Sequence, residues 1–124
     1  MSLSIISDYE QIVIGREYWA FRLNISDSYI IRGNNCDIMK VIAREDSYSN
    51  VIFCRVDKET GKPYREFGYY QMVTDGRINW RNRYSYYLCE SEEDAISTKN
   101  ALIEQCIRTL DRKRDALLKE FVHA

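Results

Sequence analysis

"RYSYYLCESEEDAISTKN", residues 83–100, contains the change of rhythm on which the fold turns. Up to Glu90 the run is aromatic and of the kind that favours a strand. Ser91 then supplies a good helix N-cap, and Glu92, Glu93 and Asp94 place carboxylates where the first-turn N–H groups are exposed. From there to Phe121 no glycine or proline intervenes. The stretch predicts a last strand followed by one long helix over 91–122.

Upstream, the pattern has a period of two. "IVIGREYWAFRLNI", residues 12–25, puts Trp19, Phe21, Leu23 and Ile25 on one face and Tyr18, Ala20, Arg22 and Asn24 on the other. Gly33-Asn34-Asn35 marks a turn before "DIMKVIARE" (37–45). "DSYSN" (46–50) turns into "VIFCRVD" (51–57), "KETGKP" (58–63) into "YREFGYYQMV" (64–73), and "TDGRIN" (74–79) reads as a further turn. Turn signals roughly every ten residues imply an antiparallel meander. The expected fold is α+β: a meander of five to six strands over 1–89, then the helix, in a single domain of 124 residues. The first ten residues fit either a strand or a short helix.

Within the helix, Ile96, Ile103, Leu110 and Leu117 fall seven apart, and Cys106, Ile107, Leu118 and Phe121 widen the stripe. Arg108, Arg112, Lys113, Arg114 and Lys119 lie toward its end, as the helix dipole prefers. Thirty residues would run roughly 45 Å, longer than a sheet this small requires. The helix therefore kinks, or projects and packs on another subunit, or lies on its own sheet with a frayed tail. The seven-residue spacing favours projection, whereas Lys99, Asn100 and Lys113 or Arg114 in the complementary positions argue against a long coiled coil.

Composition excludes several functions. Eighteen basic residues are answered by nineteen acidic ones, which leaves a net charge of −1 and disfavours a duplex nucleic-acid binder. No pair among Cys36, Cys54, Cys89 and Cys106 has C-x-x-C spacing and the one histidine, His123, is penultimate, so no metal site is expected. A histidine at a fraying helix end also makes a poor catalytic base. Gly15, Gly33, Gly61, Gly68 and Gly76 form no phosphate-cradling loop. No segment suits a secretion signal or a membrane span, so reduced thiols in a cytoplasm are expected. Glu92-Glu93-Asp94 and Glu45-Asp46 need no chemistry beyond capping and turn formation. The expectation is a binding protein with no cofactor, not an enzyme.

Two constellations suit a ligand. In "RINWRNRYSYY", residues 77–87, Trp80 sits in a polar stretch beside Arg81 and Arg83. A planar base stacked on such a ring is worth about 1–3 kcal/mol; the alternative is a Trp80 that folds back on the sheet. In "IRTLDRKR", residues 107–114, Arg108 and Arg112 share a helix face with Thr109 beside them. Two guanidiniums there repel unless an anion joins them, and a pyrophosphate bound by two arginines and a threonine hydroxyl is physically sound. A solvated face is the other reading.

A tyrosine-rich antiparallel sheet (ten Tyr in the chain), then "YYLCESEEDA" leading into one long helix that carries Arg-Thr-x-x-Arg, resembles the phage anti-Thoeris sponge proteins. The resemblance spans most of the chain in element order. It implies a non-catalytic, homo-oligomeric protein, a dimer or higher, in the cytoplasm of an infected bacterium. Such a protein sequesters cyclic ADP-ribose-type signals, and in some members cyclic oligonucleotides, to block an anti-phage defence. It further implies that Arg108, Thr109 and Arg112 hold the pyrophosphate, that Trp80 is the ring nearest the adenine position, and that Asp27 and Ser28 contact ribose or amide. A small protein-binding inhibitor of a bacterial enzyme and a nucleotide-cleaving phosphodiesterase are the alternatives.

Overall fold

The computed structural model describes residues 5–6, 9–23, 25–26, 29–30, 36–45, 47, 51–69, 77–79 and 85–122. After a 3-10 turn at Tyr9–Gln11 come strands β1 (Glu17–Arg22), β2 (Ile25–Ser26), β3 (Tyr29–Ile30), β4 (Cys36–Glu45), β5 (Val51–Val56), β6 (Pro63–Tyr69), β7 (Arg77–Asn79) and β8 (Ser85–Cys89). Helix α1 (Glu92–Leu118) is the last element. The fold is α+β, an antiparallel sheet followed by one long helix, as the change of period at Ser91 indicates.

The main sheet has six strands in the order β6-β5-β4-β1-β8-β7, every pair antiparallel; β2 and β3 form a separate two-stranded ribbon. From β1 through β4 and β5 to β6 the chain is the expected meander, with the ribbon inserted after β1. The β7–β8 pair then joins the opposite side of β1. Arg77–Asn79, expected as part of a turn, pairs with β8 through Arg77↔Tyr87, Ile78↔Tyr86 and Asn79↔Ser85. The turn signal at Asp75-Gly76 lies just before it, outside the described residues.

This order makes β1 an interior strand covered on both faces. One face gathers Tyr18, Ala20, Met39, Val41, Ala43, Phe53 and Leu88 with Ile6, and Ile12 packs against them. The other gathers Phe21, Leu23, Tyr87 and Cys89 against Ala95 and Leu102 of α1. Phe21 and Tyr87 stack at 5.1 Å, 23° from parallel. The N-terminal segment is tied to the first face by polar groups. Ile6 N donates to Leu88 O at 2.7 Å, and the buried Tyr18 hydroxyl accepts from Val13 N at 2.7 Å while donating to Gln11 O at 3.3 Å. A tyrosine ring can lie in a core when its hydroxyl is satisfied in this way.

The helix begins as its sequence dictates: Ser91 has extended backbone and its Oγ accepts from Asp94 N at 3.0 Å. Ser91→Ala should lower stability by about 1 kcal/mol, read from the urea midpoint with an unchanged slope.

The helix's buried face differs from the expected stripe. Ala95, Thr98, Ala101, Leu102 and Cys106 are buried, whereas Ile96 is 45%, Ile107 53% and Leu117 71% exposed. Small side chains let the first turns approach the sheet closely, and the larger aliphatics are displaced to the flank. Beyond Cys106 no described residue of the helix is buried. At 1.5 Å per residue the helix is roughly 40 Å long, and its last three turns extend past the core. The basic residues also sit differently from expectation: the last turn holds none, and Lys119 is the C-cap.

Candidate ligand-binding surfaces

Arg108 and Arg112 are both exposed on the extending part of α1. Neither makes an ion pair with a described residue, in contrast to Arg114, whose guanidinium lies 3.8 Å from Asp111 and 3.6 Å from Asp115. Side chains four apart on a helix are neighbours, so the two cations stand side by side, with Glu104 and Asp111 one turn from Arg108 and Asp115 one turn from Arg112. Thr109 is not poised as expected: its Oγ1 donates to Gln105 O of its own helix at 2.9 Å. The hydroxyl oxygen remains an acceptor, and its proton reaches a phosphate only if that bond is given up. Trp80, Asp27 and Ser28 lie outside the described residues, as do Arg81 and Arg83.

With 100° between successive residues, α1 presents three longitudinal faces. Ala95, Thr98, Leu102 and Cys106 face the sheet. Ile96, Ile103, Ile107, Leu110 and Leu117 form an apolar face about 95° away, of which Ile103 still packs against the core between helix and sheet. Arg108 and Arg112 lie about 160° from that apolar face, so the cation pair and the apolar stripe point in nearly opposite directions.

A cavity of about 360 Å³ opens at the other end of the helix, between Trp19, Lys40, the Asp57–Gly61 turn and Glu92. Its size falls within the range of small-ligand pockets. Its lining includes two lysines, Lys40 and Lys58, and two acids, Asp57 and Glu92. Lys40 Nζ lies 5.6 Å from the Trp19 ring centre and 3.3 Å from Glu17 Oε2. Asp57 Oδ1 accepts from Glu59 N at 2.7 Å and Thr60 N at 3.1 Å. Gly61 closes that turn at φ +71°, a conformation glycine adopts at little cost. The period-two pattern placed Trp19 on a sheet face but gave no sign of the hollow, which depends on the β5–β6 turn meeting the start of α1.

Glu92 and the two arginines are 16 and 20 residues apart along one helix, roughly 24–30 Å. No single small nucleotide spans both places within one chain.

Cys54, Cys89 and Cys106 are buried thiols. Burial pushes the Cys89 thiol up from 9.0 to about 11; the Asp94 charge adds to this and the Thr98 hydroxyl opposes it. That hydroxyl finds no hydrogen-bond partner of good geometry, so its influence on the thiol is a weak contact. Because the folded state retains the thiol proton longer than the unfolded chain, this site's contribution to stability is complete below pH 9. It is lost as pH rises toward 11. The fall in unfolding free energy across that window should be shallower in Cys89→Ala, measured by urea melts at successive pH values. No group of His, Cys, Asp and Glu among the described residues is arranged to hold a metal ion. No helix among them is long and apolar enough to cross a membrane.

No family model matches this chain, nor does any curated protein or solved structure.

Proposed function

We propose that this protein binds and sequesters a cyclic ADP-ribose-type signalling nucleotide without cleaving it, as a homo-oligomer in the cytoplasm of an infected bacterium, and so blocks an anti-phage defence. The observation that carries this reading is the adjacent pair of exposed guanidiniums, Arg108 and Arg112, with no carboxylate partner among the described residues. Such a pair is held against its own repulsion until an anion bridges it, and a pyrophosphate offers several oxygens at the required spacing. In the resemblance drawn from the sequence, Trp80 covers the adenine while Asp27 and Ser28 approach from a neighbouring loop. Cyclic oligonucleotides are a second ligand class for the same protein.

Calorimetric titration of the protein with each cyclic ADP-ribose isomer, a metal chelator present throughout, tests the reading. Saturable binding at a fixed ratio of ligand to chain is expected, and it should weaken as salt rises because phosphate contacts are screened. Absence of binding for every isomer would remove the reading.

The exposed apolar face of α1 favours one alternative, a small inhibitor that docks on a bacterial enzyme. Aliphatic side chains exposed in a row commonly mark a protein-contact surface.

A further inference from the structure

The cavity at the start of α1 has a floor and a rim of different chemistry. Trp19 and Lys40 stand opposite one another on β1 and β4, and Ile38 lies two residues back along β4. Period two therefore puts all three on the sheet face that α1 rests on. Val56 shares that face, because Cys54, two residues before it on β5, pairs with Ile42, two residues beyond Lys40. Trp19 is half-buried: it packs against the Phe21–Leu102 cluster and also lines the cavity.

Two of the four charged residues in the lining are already engaged. The Lys40 ammonium lies 3.3 Å from Glu17 Oε2 and 5.6 Å from the indole centre, so its methylenes extend the apolar floor. Asp57 Oδ1 holds its own turn through Glu59 N and Thr60 N. The other two differ. Lys58 belongs to the β5–β6 turn and Glu92 to the first turn of α1, and both line the cavity. Neither side chain forms an ion pair or hydrogen bond with a described residue, and they do not meet each other. Opposite charges on two different elements thus border one apolar hollow without closing on it.

We propose that this cavity binds a free α-amino acid with a large apolar side chain. Its ammonium meets the Glu92 carboxylate, its carboxylate meets the Lys58 ammonium, and its side chain lies on Trp19, Ile38 and Val56. One unpaired cation and one unpaired anion are matched by a ligand that carries both signs close together. A purely anionic ligand would be set against Glu92, and a purely cationic one against Lys58. The volume, about 360 Å³, is at the small end for ligand pockets, which suits one amino acid better than a peptide. The site shares no residue with Arg108 and Arg112 and is independent of the nucleotide proposed for them.

Calorimetric titration of the chain with L-phenylalanine, L-tryptophan and L-leucine tests the site. At least one of them is expected to bind saturably, one per chain. The N-acetyl form of that amino acid has no ammonium and its amide has no carboxylate, so each should bind about tenfold more weakly, or worse. Glu92→Gln and Lys58→Gln should each weaken the parent amino acid by a similar factor. Glu92→Gln should leave the N-acetyl form's affinity unchanged, and Lys58→Gln the amide's, since the matching group is already gone. Both side chains are exposed, so the urea midpoint of each variant should stay close to wild type. Failure of all three amino acids to bind overturns the proposal, as do derivatives that bind as tightly as the parent. Binding that neither variant weakens overturns it too, because the amino acid is then held elsewhere.

Discussion

Phe53→Ala is expected to lower the free energy of unfolding by about 3–5 kcal/mol, the range for removing a large aromatic from a packed core. Phe53 is fully buried on β5, in register with Ala43 of β4 and Gly68 of β6. Two small neighbours leave room for the ring, which meets Tyr18 edge-on at 6.4 Å and 80°. Truncation leaves a void that Ala43 and Gly68 cannot fill, so the transfer and cavity contributions add. Leu117→Ala, at a side chain 71% exposed, should shift stability by less than about 0.5 kcal/mol in the isolated chain. Urea melts at protein concentrations low enough to exclude association measure both. A loss under about 1 kcal/mol for Phe53→Ala would mean that the sheet face opposite the helix is not packed as described.

The second large effect concerns the ligand. Arg108→Ala should weaken binding of the cyclic nucleotide by about 2–4 kcal/mol, on the order of 30- to 1,000-fold, because it leaves a bound phosphate short of a paired cation. Arg108→Lys should recover only part of the loss, since an ammonium keeps the charge but cannot grip two oxygens in a plane. The fold should be indifferent to both changes: the side chain is exposed, and alanine and lysine are good helix formers. Calorimetry on wild type and both variants separates the cases. Equal affinity in all three would place the phosphate elsewhere, and the Trp19–Lys40 cavity would be the next surface to test.

How far the sequence discloses this protein depends on how local each signal is. Ser91 with three acids behind it is a complete helix start within four residues, and the structure places the cap there. Strands β4, β5 and β6 follow from short strand-favouring runs between turns, because each hairpin is settled by its neighbours in the chain. The position of β7–β8 beside β1 depends on pairing between residues nearly seventy apart, such as Ala20 and Leu88, which no short pattern encodes. The helix face that meets the sheet is hidden from the sequence for a related reason. Seven-residue spacing marks a real apolar face, but nothing in it says whether that face meets the sheet or a partner. Ala95 and Thr98 claim the sheet because they are small, a property that a search for large apolar residues passes over. For the site, Arg108 and Arg112 were visible as a pair four apart, whereas the commitment of the Thr109 hydroxyl to Gln105 O emerges only from geometry.

The central claim is that the protein holds its nucleotide intact. Mixing it with a cyclic ADP-ribose isomer at one ligand per chain, separating the complex by size, denaturing it with heat and chromatographing the supernatant puts that claim to its most direct test. The predicted result is unchanged ligand, released in proportion to the protein loaded. A cleaved product, or ligand that never travels with the protein, would contradict it.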